Sequence, residues 1–203
     1  MKRPFHDKLN ALHLALCKIK GVLYYRHIFA SFGSGSVILD PLLIANPRFI
    51  HIGRNVLIRQ GVRLEAVQVD GANAPEIRIG DNVNIEQNIH MVCLGKMTIG
   101  ANVSITANCS LMCGSHPFLD VKNPVKIGNR LSSRNSFLEI GEGAFLGIGA
   151  IIQTNLRIGN RAIVDSGSVV KKSVPPFSVV SGNPATVKLR YDSDTDSWVG
   201  VAR

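Results

Sequence analysis

The chain has 203 residues and a formal net charge of +9, and this length suits one domain with a sizeable core. Apolar residues make up 45% and charged residues 18%, which excludes a disordered polar protein. No apolar run reaches the roughly 18 residues that span a bilayer, and no signal peptide is recognisable. The excess of basic residues indicates an anionic partner.

The four cysteines, at positions 17, 93, 109 and 113, form no Cys-x-x-Cys pair. Without a secretory signal, we expect reduced thiols in the cytoplasm. Cys109 and Cys113 could be read as metal ligands, but no second pair at zinc spacing accompanies them. The sequence therefore predicts no metal site.

Residues 1–30 are predicted to be an N-terminal helical segment. Six large apolar residues alternate at four- and three-residue spacings and form one stripe: Phe5, Leu9, Leu12, Leu16, Ile19 and Leu23. Basic residues accompany the stripe. We expect the helix to pack on the end or side of the domain; the alternative is peripheral contact with the inner face of a membrane.

Residues 31–190 contain an internal repeat of six residues. Ile-Gly pairs recur, and stepping by six from five of them gives 15 positions: 52/58/64, 79/85/91, 99/105/111, 140/146/152 and 158/164/170. Fourteen of these are Ile, Leu or Val and the other is Met91, whereas composition alone predicts about four matches. A six-residue unit suits a short strand and a corner, stacked in an all-β solenoid whose first position points inward.

The repeat has a second regular position, which is held by glycine. We expect these glycines to supply unusual dihedral angles at the corners: Gly53, Gly80, Gly100, Gly141, Gly147 and Gly159. The 18 residues from Ile140 to Ile158 make three units, or one coil of a three-sided prism. A β-sandwich is the alternative fold, but it predicts a period of two.

Interruptions of the repeat mark irregular segments. Residues 31–50 are predicted to form irregular first coils, and 66–78 a loop. Residues 115–138 form one long excursion with four basic residues, within which Ile127-Gly128 is not expected to start a coil. The polar tail 191–203 is expected to be poorly ordered. Long excursions from a regular scaffold often carry function, which singles out 115–138.

The end of the repeat, SVVKKSVPPFSVVSGNPATVKLRY at 168–191, resembles the C-terminal signature of hexapeptide-repeat acetyltransferases. The resemblance extends back to about residue 30. It is greatest to sugar, surface-polysaccharide and O-antigen O-acetyltransferases, including galactoside and maltose acetyltransferases. It implies a left-handed parallel β-helix over 31–190, a homotrimer with active sites between subunits, and acetyl-CoA as the donor.

The resemblance also implies which residues do the chemistry. His116, followed by Pro117, stands where related enzymes have the histidine that acts as general base. Many relatives have Asp-His-x-His here, whereas this chain has Cys-Gly-Ser-His at 113–116, so the group that orients the imidazole is open. Asn88 matches a substrate-contacting Asn, or is an ordinary corner residue. Asp120 could pair with His116, bind the acceptor or simply be solvated.

The expected coenzyme A site lies on the last coils. Lys172 matches the family's lysine near the phosphates and Lys171 is expected to assist it; the alternative is a solvated charged turn. Gly147, Ile148 and Gly149, with Ser166 and Gly167 one coil later, match the strand edge along which pantetheine runs. Asn183, Pro184 and Arg190 are expected near the adenine. No phosphate-binding glycine loop of the P-loop or dinucleotide type is present, so no other nucleotide cofactor is expected.

The sequence therefore predicts a cytoplasmic, acetyl-CoA-dependent O-acetyltransferase that acts on a sugar hydroxyl in bacterial surface polysaccharide or lipopolysaccharide biosynthesis. An N-acetyltransferase of an amino sugar and a non-catalytic repeat scaffold are the alternatives. A zinc enzyme like the gamma-class carbonic anhydrases is disfavoured by the spacing of His51, His90 and His116. Nucleic-acid binding is disfavoured because the 12 aromatic residues form no stacking platform.

Overall fold

The computed structural model describes residues 4–69, 74–134 and 136–201. Helix α1 (Phe5–Lys20) comes first and continues through one π-helical turn (Gly21–Tyr25) into the short helix α2 (Arg26–Ile28). Short 3₁₀ turns occur at Pro47–Phe49 and Ile127–Asn129. The other regular elements are 21 strands, which within the described ranges form three sheets.

Each sheet collects strands from successive coils of the chain. The first sheet contains β1 (Ser31–Phe32), β4 (Ile50–Ile52), β7 (Glu76–Ile79), β10 (Lys96–Ile99), β13 (Phe137–Ile140) and β16 (Leu156–Ile158). The second contains β2 (Val37–Ile38), β5 (Leu57–Ile58), β8 (Asn84–Ile85), β11 (Ser104–Ile105), β14 (Phe145–Leu146), β17 (Ile163–Val164), β19 (Ser178–Gly182), β20 (Ala185–Asp192) and β21 (Ser197–Gly200). The third contains β3 (Leu43–Ala45), β6 (Arg63–Ala66), β9 (His90–Cys93), β12 (Ser110–Cys113), β15 (Ile151–Ile152) and β18 (Val169–Val170).

The chain visits the three sheets in rotation. From β1 to β18, each strand pairs in parallel with the strand three places later, so that Ile79, Ile99 and Ile140 lie in one register. The six-residue repeat is confirmed, because all 15 positions predicted to point inward are at most 3% exposed. The β-sandwich alternative is wrong, since coil neighbours pair in parallel. The handedness of the coils stays a prediction.

The repeat glycines are required for a different reason from the one predicted. All six have ordinary φ angles. Instead, a Cβ on each would meet the backbone of the next coil: at Gly80 it would lie 2.7 Å from the Ala101 nitrogen, and at Gly100 2.7 Å from the Glu142 nitrogen. The glycines are therefore needed because the coils approach closely at these corners, which follow strands of the first sheet in five cases and β14 in the case of Gly147.

Two segments are more regular than expected. Residues 31–50 contain strands β1 to β3, which pair with β4, β5 and β6 as one ordinary coil, so irregular first coils are wrong. The tail was predicted to be poorly ordered, but as far as residue 200 it is regular. Strand β21 pairs antiparallel with β20 and extends the second sheet. The loop predicted at 66–78 lies between β6 and β7, with 70–73 outside the described residues.

Helix α1 does not pack through its apolar stripe. It contacts the first coil through Cys17, and the π-helical turn continues this contact through Gly21 and Tyr25. The stripe points away from the coils, with Phe5 76% and Leu23 71% exposed. The helix therefore packs on the first coil, as predicted, but through a face other than its apolar stripe. No helix within the described ranges has both the length and the apolar character needed to cross a bilayer.

Candidate active site

The long excursion is closed at its base by two backbone hydrogen bonds. The chain leaves the third sheet after β12 and joins the first sheet at β13, as the interruption of the repeat predicted. The Ser115 N–H donates to the Ser132 carbonyl at 3.1 Å, and the Ser132 N–H donates to the Ser115 carbonyl at 2.9 Å. The excursion is thus a closed loop whose two ends enter and leave at one place. Ile127 is exposed and part of a 3₁₀ turn, and starts no coil.

Arg130 holds the loop together from inside. Its guanidinium donates to the carbonyls of Asp120 at 2.8 Å, Asn123 at 2.6 Å and Val125 at 2.6 Å. One planar side chain thereby satisfies three carbonyls that have no strand partner. Sequence reasoning missed Arg130, because only the folded loop shows that its turns converge on one point.

His116 lies at the entrance of this loop, directly after Ser115. Its side chain is exposed and lines two depressions at once. One is a cavity of about 310 Å³ on the outer face of the third sheet; the other is a groove of about 710 Å³ inside the excursion. Among the described residues no hydrogen-bond partner holds the imidazole, so the group that orients it stays open.

The wall of the cavity opposite His116 is polar. Arg63 and Glu65 project outward from β6, and His90 projects from β9 in register with Arg63. Val92 and Met112 form an apolar floor between them. Sequence reasoning did not find Arg63 and Glu65, although an Arg-x-Glu pair at alternate positions of a strand must share one face.

Asn88 is not brought to either depression. Its φ is +57°, and its N–H donates to the Gln60 carbonyl at 3.1 Å in the previous coil. Residues of successive coils form the same left-handed corner with the same hydrogen bond: Gly61, Asn88, Asn108, Gly149 and Gly167. Asparagine adopts this conformation more readily than other non-glycine residues. The corner therefore explains Asn88 without a substrate.

Asp120 lies in the groove that His116 also lines. Its carboxylate accepts a hydrogen bond of 3.1 Å from the Lys122 N–H, and its carbonyl is held by Arg130. The carboxylate therefore forms a local turn rather than an ion pair with His116.

The residues expected to bind coenzyme A fall into three places. Gly147, Ile148 and Gly149, then Ser166 and Gly167, occupy the left-handed corner of two successive coils, and Asn183 and Pro184 follow where β19 turns back. Lys171 and Lys172 are exposed at the next corner, separated by strand β18. Arg190 pairs with Ser178, at the opposite end of the β19–β20 ribbon from Asn183. The structure therefore brings the first group together and leaves Arg190 apart.

No protein-family model matches the chain, but proteins with similar sequences are named as O-acetyltransferases. WbbJ of Escherichia coli (strain K12), assigned to lipopolysaccharide biosynthesis as an O-acetyl transferase, is 26% identical over 166 residues, which cover 80% of this chain and 82% of WbbJ. The galactoside O-acetyltransferase of the same organism is 31% identical over 120 residues, covering 59% of this chain and 56% of that enzyme.

Solved structures share the fold. An N-acyltransferase from Bacillus cereus, in complex with dTDP and 3-hydroxybutyryl-CoA, superposes with a TM-score of 0.64 at 18% identity, over 80% of this chain and 83% of that one. A hexapeptide-repeat acetyltransferase from Vibrio cholerae, in complex with acetyl-CoA, has a TM-score of 0.52 at 18% identity, over 92% and 91%. The chain is an acyltransferase, and it resembles the hexapeptide-repeat acetyltransferases.

Potential metal ligands of this acyltransferase meet away from its two depressions. His13 and Cys17 of α1 approach Asp40 after β2, with the His13 Nε2 3.0 Å from an Asp40 oxygen, which is an ordinary hydrogen-bond distance. Cys109 and Cys113, the pair weighed above, are buried and donate instead to the carbonyls of Gly147 at 3.1 Å and Lys96 at 3.4 Å. His51 lies on the first sheet, apart from His90 on the third.

Proposed function

We propose that this acyltransferase is an acetyl-CoA-dependent O-acetyltransferase of a sugar hydroxyl, in surface polysaccharide or lipopolysaccharide biosynthesis. The observation that carries the proposal is the position of His116 at the boundary of the two depressions, because a base there can contact a hydroxyl group of an acceptor bound in either of them. The names of WbbJ and of the galactoside O-acetyltransferase support a sugar acceptor and transfer to oxygen.

His116 acts as the general base of a direct transfer. Its neutral imidazole takes the proton of the acceptor hydroxyl while the hydroxyl oxygen attacks the thioester carbonyl. The tetrahedral intermediate collapses with cleavage of the C–S bond. His116 then returns the proton to the departing thiolate of coenzyme A. This sequence needs no covalent acyl-enzyme.

The donor lies along the column of left-handed corners formed by Gly147–Gly149 and Ser166–Gly167. In support, a Cβ at Gly149 or Gly167 would meet no atom within 4 Å, so the column is open at these two positions. Exposed backbone can there bind the amides of pantetheine. Lys171 and Lys172 bind the phosphates, Asn183 and Pro184 lie near the adenine, and Arg190 reaches the donor only if it folds over from the far end of the ribbon.

The same proposal includes a left-handed, closed prism and a homotrimer with donor and acceptor sites completed between subunits. The apolar tip of the excursion supports a neighbouring subunit, because Leu119 and Val121 are 86% and 88% exposed in the single chain. Asp120 contacts the acceptor from the groove, whereas Asn88 keeps a place in the proposal only as a residue of the neighbouring corner. The cytoplasm, where acetyl-CoA is made, is the proposed location.

Transfer to nitrogen is the second candidate. The fold of the Bacillus cereus N-acyltransferase supports it, since the same base could serve an amine acceptor. The relatives by sequence favour oxygen. Analysis of the product by mass spectrometry and by mild alkaline hydrolysis separates the two, because esters are cleaved under conditions that leave amides intact.

The test is a comparison of His116→Ala with His27→Ala, which removes an exposed histidine of α2. We expect the wild-type protein to release coenzyme A from acetyl-CoA with a panel of sugars, and His116→Ala to lose about a hundredfold or more in kcat. Binding of acetyl-CoA by calorimetry should be unchanged, and His27→Ala should match the wild type. Near-normal turnover by His116→Ala would remove His116 as the base, and failure of the wild-type protein to bind acetyl-CoA would favour a non-catalytic scaffold.

A further inference from the structure

A carboxylate is buried in the wall of the cavity that His116 lines. Glu65, on strand β6, is only 8% exposed. Both of its oxygens accept hydrogen bonds from one nitrogen of Arg63, two residues earlier on the same strand, at 3.0 and 2.9 Å. The two side chains therefore form an ion pair that projects outward from the third sheet.

The surroundings of this pair do not explain why it is there. Glu65 is in register with Val92 of β9, and Val92 with Met112 of β12, so the neighbouring positions on the same face are apolar. The Glu65 side chain is 11% exposed and that of Arg63 is 42% exposed, so it is chiefly the carboxylate that loses its hydration. An ion pair with such a buried partner stabilises a fold little relative to apolar residues of similar size. An apolar pair would continue the apolar floor at no such cost.

The pair also has hydrogen-bonding capacity left over. The Nε of Arg63 is shielded from solvent and has no hydrogen-bond partner among the described residues. The Glu65 carboxylate carries about four lone-pair positions, of which Arg63 occupies two. Buried polar atoms without partners are uncommon in proteins, and each calls for an explanation, such as a catalytic role or a bound water or ion. A hydroxyl oxygen of a ligand would serve Arg63 equally well as an acceptor.

The pair and His116 line the same cavity of about 310 Å³. This volume is at the lower end of the range for small-molecule sites and suits one sugar unit. We propose that Arg63 and Glu65 bind two neighbouring hydroxyl groups of an uncharged acceptor sugar and so determine which hydroxyl meets His116. This inference rests on the function proposed above and specifies its acceptor.

The charge of the pair decides the class of acceptor. Glu65 accepts a hydrogen bond from one hydroxyl, and Arg63 donates to the oxygen of the next. Because the two charges cancel, the wall offers no net attraction to a carboxylate or phosphate. A sugar with adjacent free hydroxyls and no charge fits this wall, and a uronic acid does not.

The experiment compares the wild type with Glu65→Gln and Arg63→Gln on two matched acceptors. These are methyl glucopyranoside, which is neutral, and methyl glucuronide, which differs by a carboxylate. Glu65→Gln should lower kcat/KM for the neutral glycoside about tenfold or more, because a hydrogen bond to a charged group is lost. It should also shift the preference toward the glucuronide, since Arg63 then carries an uncompensated charge. The KM for acetyl-CoA should stay within about twofold.

The chain offers a matched control for general effects of breaking such a pair. Glu76 and Arg78 form the same two-residue ion pair at 2.5 Å on strand β7, exposed and outside the cavity. Glu76→Gln should change neither the acceptor preference nor the KM for acetyl-CoA. Melting temperatures of all variants show whether a variant has lost activity because it unfolds. Unfolding would lower the activity on both glycosides alike and leave the preference between them unchanged.

Acceptor binding is measured separately from transfer. Saturation-transfer NMR with the same two glycosides, in the presence of coenzyme A, reports binding without turnover. If the wild type binds the neutral glycoside, Glu65→Gln does not, and the wild type transfers no acetyl group, the acceptor site is supported. The proposed transferase function is then overturned. An unchanged preference in Glu65→Gln, a wild type that prefers the glucuronide, or no binding of the neutral glycoside would each overturn the inference.

Discussion

The backbones of Ser115 and Ser132 exchange two hydrogen bonds, of 3.1 and 2.9 Å, at the base of the excursion. His116 follows Ser115 directly, so this clasp sets where the imidazole leaves the third sheet. Gly114, on the other side of Ser115, is also held, since its N–H donates to the Thr154 hydroxyl at 3.1 Å. The proposed base is therefore fixed through its neighbours' backbones, although its own side chain is exposed.

The clasp predicts that Ser132→Pro lowers transfer without unfolding the coils. Proline has no N–H, so the bond to the Ser115 carbonyl is lost. We expect kcat to fall about tenfold or more, because a misplaced base is costly, while the KM for acetyl-CoA and the melting temperature change little. Ser132→Ala keeps the N–H and should behave as the wild type. Full activity in the proline variant would show that the clasp does not position His116.

The second prediction concerns Arg130 and how firmly its side chain keeps the excursion folded. Lysine in its place keeps the charge but cannot donate to three carbonyls in one plane. In Arg130→Lys, limited proteolysis should cut the excursion roughly tenfold faster or more, because the hydrogen bonds of a charged group are lost. Arg134→Lys is the matched control, since no side-chain hydrogen bond of Arg134 occurs in the described part of the loop. Equal cleavage rates in the two variants would contradict this role of Arg130.

The third prediction concerns how many of the four cysteine thiols react with a disulfide reagent in the folded protein. Cys17 is 7% exposed, and Cys93, Cys109 and Cys113 are at most 1% exposed. Burial raises the pKa of the Cys109 thiol, and that of Cys17 is raised by burial and by the nearby Asp40 carboxylate. The hydrogen bond with Cys93 lowers the pKa of Cys113, but that sulfur is buried. Because a disulfide reagent must reach the thiolate, and only Cys17 is more than 1% exposed, the folded protein should react at no more than one thiol and the unfolded protein at four. Several fast-reacting thiols in the folded protein would mean that the coils open readily.

The sequence was sufficient for the scaffold because one side chain in six reports directly on the core. Ile99 and Ile140 are recognisable as inward residues without knowledge of what lies between them. No comparable spacing rule tells which outward-pointing side chains come together on the faces of the sheets. Arg63 and Glu65 line one cavity with His116 only because β6, β9 and β12 lie side by side in one sheet and His116 follows β12. Neither relation can be predicted from local spacing, since both depend on which coil lies above which.

Asn88 shows a different limit of reasoning from the sequence alone. A family position and a corner position coincided at one residue, and the sequence could not separate them. In the structure the corner column contains Asn108 and Gly149 with φ of +62° and +71°, so the shared property is a left-handed backbone. A residue type explained by the backbone carries no information about substrate. The same reasoning corrected the repeat glycines, which serve close approach and not unusual dihedrals.

The last prediction compares a glycine at a close approach of two coils, Gly80, with a glycine at a left-handed corner, Gly149. Gly80→Ala places a Cβ 2.7 Å from the Ala101 nitrogen and 2.8 Å from the Gly100 carbonyl carbon, so adjacent coils must separate. Gly149→Ala meets no atom within 4 Å but keeps a φ of +71°. Overpacking costs about 3 kcal/mol at its usual upper end, whereas a single left-handed alanine costs about 1 to 2 kcal/mol. Denaturant unfolding should therefore give a lower free energy of unfolding for Gly80→Ala than for Gly149→Ala. The reverse order would mean that the coils can relax apart and that backbone strain at the corners is what limits the fold.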